Sequence, residues 1–298
     1  MIETLWNWFV EPFQYSFMQT ALGVSAFVGV VCALLSCYLI LKGWSLMGDA
    51  LSHAVLPGVV VAYLLGLPFA LGAFASGLAS AILIGWVKRN ARIKEDTVIG
   101  LVFTAFFALG LILLSRTVSD VHLSHILYGN VLGIEPEDLI QTLIAGSIAL
   151  GAVAILRRDL MLFCFDPNHA RAIGLNTTFL YYALLTLLAL TVVAALQAVG
   201  IILVIAMLIT PGAIGYLLTD RFDHMMGLAV GAAVLASILG VYMSFHLDAS
   251  TGGCIVVMQA LLFFAAMLFA PKRGLLARFW LRRTMREAQR VLVPSKQG

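Results

Sequence analysis

Nine long apolar runs govern what this chain can fold into. They cover approximately Ser16 to Leu41, Trp44 to Leu65, Phe69 to Val87, Val98 to Leu114, Leu139 to Ile155, Phe179 to Val199, Ile201 to Leu218, Met225 to Phe245 and Cys254 to Ala270. Most reach the roughly 17 to 25 residues that carry a helix across the hydrocarbon of a bilayer. In that medium every backbone N–H and C=O must be satisfied within the protein. The expected fold is an all-α polytopic membrane protein with eight to nine transmembrane helices. The range reflects one run, Ile201 to Leu218, where Pro211 and Gly212 interrupt the hydrogen-bond ladder and could leave two half-helices.

Composition agrees with the runs. Of 298 residues, 62% are hydrophobic and 11% charged, which excludes a disordered chain. Four cysteines are too few for a disulfide scaffold. Cys32, Cys37 and Cys254 lie in apolar runs and Cys164 in a loop, and all four read as reduced packing residues. The segment before the first run carries Glu3 and Glu11 and no Lys or Arg, so no cleavable signal peptide is expected.

Basic residues orient the spans. With Lys88, Arg89, Arg92 and Lys94 placed inside, alternation puts 17 of the 18 Lys and Arg on the inner face and leaves only Arg116 outside. The N-terminus is then outside and the C-terminus inside. Eight of these charges fall after Pro271 (Lys272, Arg273, Arg278, Arg282, Arg283, Arg286, Arg290 and Lys296) against one acid, Glu287. Residues 1–270 form the transmembrane domain, and 271–298 form a basic cytoplasmic tail that suits the membrane surface rather than nucleic acid.

Two connections carry polar chemistry. The outer loop from Ser115 to Asp138 holds Asp120, His122 and His125, a possible metal-collecting mouth, although loop residues of these types are more often solvated. The inner segment from Arg157 to Asn176 contains Asp166 as an N-cap, Pro167 at the first helical position and Gly174 as a terminator. It spells a short helix, too polar to cross the bilayer. Stripes of small residues (Gly72, Ser76 and Ser80; Ala229 and Ala233; Ala232, Ala236 and Gly240) read as close helix packing.

Of the 15 acids, only Asp49 is set inside an apolar run, and only His53 of the six histidines is similarly placed. Residues i and i+4 share a helix face about 6 Å apart along the axis, so carboxylate and imidazole can close on one cation. A charge in hydrocarbon costs several kcal/mol, so such residues are expected to face a bundle interior. An ion pair that only fixes packing, a proton relay and metal ligation are all compatible with the pair. Metal ligation is preferred, with Mn2+, Fe2+ or Zn2+ suiting an oxygen and an imidazole. Two ligands leave such an ion under-coordinated, and a two-fold dimer would bring two Asp and two His together. Asp220, Asp223, His224, His246 and Asp248 read as caps and solvated charges, and Met47 as packing. No phosphate-binding loop of the Gly-x-x-x-x-Gly-Lys-[Ser/Thr] kind occurs, so any ATP-driven step must use another subunit. No His-Glu-x-x-His occurs, which argues against an intramembrane zinc protease.

The run from Lys42 through Asp49 and His53 to Pro57 and Gly58 resembles the metal ABC importer permease family. So do Asp120 to Asn130, Asp166 to Leu175, Gln197 to Ala213 and Ser250 to Gly253. The resemblance spans about residues 10 to 270 and is strongest to the manganese and chelated-iron branch. It implies a type II-like ABC importer permease that acts as a non-enzymatic membrane subunit and carries no permanent cofactor. By the same resemblance Asp49 and His53 are the transmembrane metal site. The segment Asp166 to Leu175, with Pro167, Ala170, Arg171 and Gly174, is the coupling helix, where substitutions at Ala170 or Arg171 should uncouple ATP hydrolysis from transport. The implied partners are a second copy of the chain, a cytoplasmic ATP-binding subunit dimer, an extracytoplasmic metal-binding protein and membrane lipid, in a bacterial cytoplasmic (inner) membrane. The transported ion is Mn2+ or Fe2+. A zinc-importing permease, an ion-coupled secondary transporter and a structural scaffold are the rival readings.

Overall fold

The computed structural model describes residues 11–44, 46–117, 131–271 and 274. Every regular element among them is helical: α1 Ser16–Lys42, α2 Met47–Ala54, α3 Leu56–Leu65, α4 Phe69–Asn90, α5 Glu95–Arg116, α6 Pro136–Phe165, α7 Pro167–Ala172, α8 Thr177–Val199, α9 Ile201–Leu218, α10 Phe222–Leu247 and α11 Thr251–Phe269, after a 3-10 turn at Glu11–Gln14. With α2 and α3 taken together, nine stretches among the described residues are long and apolar enough to cross a membrane.

Helices α1 and α8 form the inner layer and are the most buried spans. Helix α1 packs against α6, α9 and α10, while α8 packs against α4 and α6. Helices α5, α6 and α11 are peripheral and expose Leu101, Ile112, Ile144, Ile148, Val257 and Phe264. In water such surfaces would be costly; against lipid tails they need no cover. Helix association then depends on close contact. At the α3–α4 crossing, Gly58 and Gly72 face each other backbone to backbone, and a Cβ on either would overlap the other's carbonyl. On the same stripe, Ser76 Oγ donates to the Ala54 carbonyl at 2.7 Å.

Two proline positions behave differently from the sequence expectation. Helix α9 runs unbroken from Ile201 to Leu218 with Pro211 inside it. The ladder is mended from α1: Ser36 Oγ accepts the Gly212 N–H at 3.0 Å and donates to the Ile209 carbonyl at 3.1 Å. Gly212 is required there, because a Cβ would sit 2.6 Å from the Ser36 carbonyl oxygen. The interruption falls instead at Val55, between α2 and α3, where Pro57 has no N–H to offer the His53 carbonyl.

Helix α6 extends beyond its apolar run. It has 30 residues and continues through Arg157 and Arg158 to Phe165, so the expected inner loop begins about ten residues later than hydropathy indicated. Arg157 pairs with Asp223 at the start of α10, and Tyr38 Oη donates to the Arg157 carbonyl at 3.4 Å, which holds this extension to the bundle. Cys164 accordingly lies in the last turn of α6 and is buried, not in a loop, and all four cysteines are free.

Candidate metal centre

Helix α2 is short and is held from behind. Gly48 lies against Leu208 of α9, and Ser52 Oγ donates to the Gly48 carbonyl at 2.8 Å within the buried face. Met47, Ala50 and Leu51 are also buried, Met47 completely, as packing. With that side fixed, the helical register turns Asp49 and His53 to the opposite side, one turn apart. His53 Nε2 lies 3.3 Å from Asp49 Oδ1. The His53 ring is flanked by Phe103 at 5.7 Å and Phe107 at 5.2 Å between centroids, both from α5. These phenyl rings offer no ligand atoms and lower the local polarity, which strengthens any charge interaction the pair makes.

The pair is not enclosed by its own chain. The Asp49 and His53 side chains remain 36% and 29% exposed, so they face outward from the protomer and not into a single-chain bundle interior as expected. The cause is the shape of the span: α2 contacts α4, α5, α8 and α9, leaving its Asp49 side open. Among the described residues no group of three or more His, Cys, Asp or Glu converges on one point. One protomer therefore presents two side-chain ligands. Proline adds a feature that sequence reading missed: Pro57 has no N–H to offer the His53 carbonyl, which takes the Val55 N–H instead, and the span is interrupted there. The signal was present in the sequence as a proline four residues after the histidine.

The second polar element forms as expected. Asp166 Oδ1 accepts the N–H groups of Asn168 and His169, each at 3.0 Å, and α7 follows from Pro167. Gly174, at φ 90°, ends it, with Gly174 N–H bonded to the Arg171 carbonyl and Leu175 N–H to the Ala170 carbonyl. Arg171 is exposed and donates to Thr177 Oγ1 at 3.5 Å. Ala170 is fully buried against its own chain, on the inner side of a helix only six residues long. The apolar groups that the segment presents outward are Phe165, 78% exposed, and Ile173, 57% exposed.

Among the described residues, the remaining candidates do not join the site. Asp223 is paired with Arg157, Asp248 caps α10 in the left-handed conformation, and His246 packs its ring 4.6 Å from Tyr242. Asp120, His122 and His125 lie outside the described residues, as do the charges of the basic tail.

The comparisons with known proteins agree on one lineage. The profile of the ABC 3 transport family matches residues 14–270. The chain is 62% identical over 279 residues to the manganese transport system membrane protein MntB of Synechocystis sp., covering 94% of this chain and 91% of that protein. It is 57% identical over 259 residues to the chelated iron transport system membrane protein YfeD of Yersinia pestis, covering 87% of each. Among solved structures, PsaBC from Streptococcus pneumoniae in complex with Fab aligns with a TM-score of 0.80 and 40% identity, covering 92% of this chain and 98% of that one.

Proposed function

The chain belongs to the ABC 3 transport family, and from that premise we propose that it is the membrane-spanning permease subunit of an ATP-driven importer whose cargo is a divalent transition metal, Mn2+ and/or Fe2+. The relatives named for manganese and for chelated iron supply the cargo class. The observation that carries the reading is Asp49 beside His53 on the open face of α2, a hard oxygen and an imidazole at 3.3 Å inside a membrane span. Those donors match Mn2+ and Fe2+, which take carboxylate and imidazole readily.

Incomplete coordination argues for a second copy. A first-row ion needs more than two ligands, and a two-fold axis beside the open face of α2 would add a second Asp49 and His53. The ion would exchange part of its water shell for these groups while the phenyl rings of Phe103 and Phe107 limit how much water returns.

ATP chemistry belongs to other subunits, since the sequence holds no phosphate-binding loop. In this reading a cytoplasmic ATP-binding dimer engages α7 through the exposed Phe165 and Ile173, and an extracytoplasmic metal-binding protein delivers the ion at the mouth that contains Asp120, His122 and His125. The charge distribution supports an N-terminus outside and a C-terminus inside a bacterial cytoplasmic membrane. ATP binding shifts α7, and access to Asp49 and His53 alternates between the faces.

Growth of a strain that lacks its own metal importers, complemented with the whole transporter and tested one cation at a time, decides the reading. Restored growth on limiting Mn2+ or Fe2+ is expected. Restoration on Zn2+ alone would move the chain to the zinc importers, and uptake that persists without ATP and follows a pH gradient would refute an ATP-driven importer.

A further inference from the structure

The helix ends beside α7 enclose a cavity that the metal path does not use. Its volume is ≈ 300 Å³, and Lys42, Lys88, Arg89 and Arg171 line it together with Phe163, Thr177, Thr178 and Tyr181. That size falls within the roughly 300 to 1,000 Å³ of small-ligand sites. From these groups we infer a binding site for a phosphate-bearing anion, filled by the headgroup of an anionic phospholipid.

Cations at helix C-termini are common because they complement the helix dipole, and each of these four residues ends a helix. Dipole complementation does not account for their convergence on one cavity. Of the acids around the cavity, Glu95 is paired with Lys88, and Asp166, next to the lining residue Pro167, is engaged as the cap of α7. Among the described residues, Lys42, Arg89 and Arg171 have no carboxylate within salt-bridge distance. Lys42 is half-buried and its Nζ rests 4.2 Å above the Phe163 ring, an arrangement that fixes the charge without neutralising it. The N-terminus of α8, capped by Asn176 through the Phe179 N–H, borders the same space with Thr177 and Thr178, and its dipole favours an anion there. Tyr181 contributes a further donor: its hydroxyl is buried and has no hydrogen-bond partner.

Depth identifies the source of the anion. Trp86, 60% exposed, lies in the last turns of α4, just before the cavity residues Lys88 and Arg89. An exposed indole at the end of a span sits at the headgroup level. Basic cavities between helix ends at that level take anionic headgroups, with diffuse attraction and direct hydrogen bonds acting together.

The site is tested on the assembled importer in detergent, with lipid retention read by native mass spectrometry against added phosphatidylglycerol, cardiolipin or phosphatidylcholine. Anionic lipid should be retained over phosphatidylcholine, and the Lys42→Gln, Arg89→Gln double variant should lose about ten-fold of that retention. Lys42→Arg should keep it. Unfolding temperature in phosphatidylcholine checks that the double variant is folded, and Arg89→Gln alone, at an exposed position, provides a second reading. Binding of inorganic phosphate by calorimetry, lost in the same variant and without a lipid preference, would assign the same phosphate chemistry to a soluble anion. Equal retention of all three lipids by folded wild type and variant, with no phosphate binding, would overturn the site.

Discussion

His53 Nε2 lies 3.3 Å from Asp49 Oδ1, and both side chains open away from the core of their own protomer. Low polarity strengthens the attraction within such a pair, but burying it costs desolvation of both charged groups. Here the pair is left one-third exposed in a span with no other charged or titratable group near it in sequence but Tyr63, as an exchangeable ligand set requires. Asp49→Asn and His53→Gln should each lower Mn2+ uptake into vesicles by at least about ten-fold, the equivalent of roughly 1.4 kcal/mol of lost metal interaction. Assembly with the ATP-binding subunit, read by co-purification, should be unchanged. Full uptake in either variant would return the pair to a structural role.

A second prediction concerns the break between α2 and α3. Pro57 withholds an N–H from the His53 carbonyl, and Pro57→Ala would supply it and let the two helices join. Pro57 is in the first turn of α3, where proline is tolerated, and the cost of about 3 kcal/mol for an interior proline would apply only if the two helices were continuous. Thermal stability should hold or rise, while uptake should fall several-fold if the interruption at Val55 takes part in ion passage. Unchanged uptake in a more stable variant would show that the break serves assembly only.

Much of the fold was legible because hydropathy and helix-length arithmetic act locally. Asp49 and His53 were found because a carboxylate and an imidazole are conspicuous in apolar sequence, and α7 because Asp166, Pro167 and Gly174 spell out its start and end. What stayed hidden depends on tertiary contacts. Ser36 in α1 mends the ladder at Gly212, and nothing local reveals which distant hydroxyl will do so. The outward direction of the Asp49 and His53 pair follows from which face of α2 meets Leu208. The continuation of α6 past Ile155 was missed because hydropathy marks the edge of the hydrocarbon, not the end of a helix. That Ala170 is on the buried side of α7 is likewise decided by packing and not by its local sequence.

The stitch between α1 and α9 is open to measurement. Ser36→Ala leaves the Gly212 N–H and the Ile209 carbonyl without their cross-helix partner in a water-free setting. The expected loss is about 1 to 3 kcal/mol for the unsatisfied groups, read as a lower unfolding temperature of the purified protein. Gly212→Val should be worse, because it drives the helices apart where a Cβ already meets the Ser36 backbone. A Ser36→Ala protein as stable as wild type would show that α9 tolerates Pro211 without help from α1.

The coupling segment gives the last prediction, and its two sides should respond differently. Ala170 has no exposed surface and is surrounded by its own chain, so Ala170→Leu overfills that space at about 1 to 3 kcal/mol. The expected result is reduced yield and a lower unfolding temperature, with transport per folded molecule affected only through the distorted loop. Ile173 is 57% exposed and makes little contribution to the fold, so Ile173→Asp should leave the unfolding temperature within a degree or two. A carboxylate there would place a charge in the apolar contact with the ATP-binding subunit, and ATP hydrolysis stimulated by metal and delivery protein should drop sharply. The two variants therefore separate stability from coupling. If Ile173→Asp retains fully stimulated hydrolysis while Ala170→Leu folds normally and loses it, then α7 engages its partner through the opposite face from the one that exposes Phe165 and Ile173.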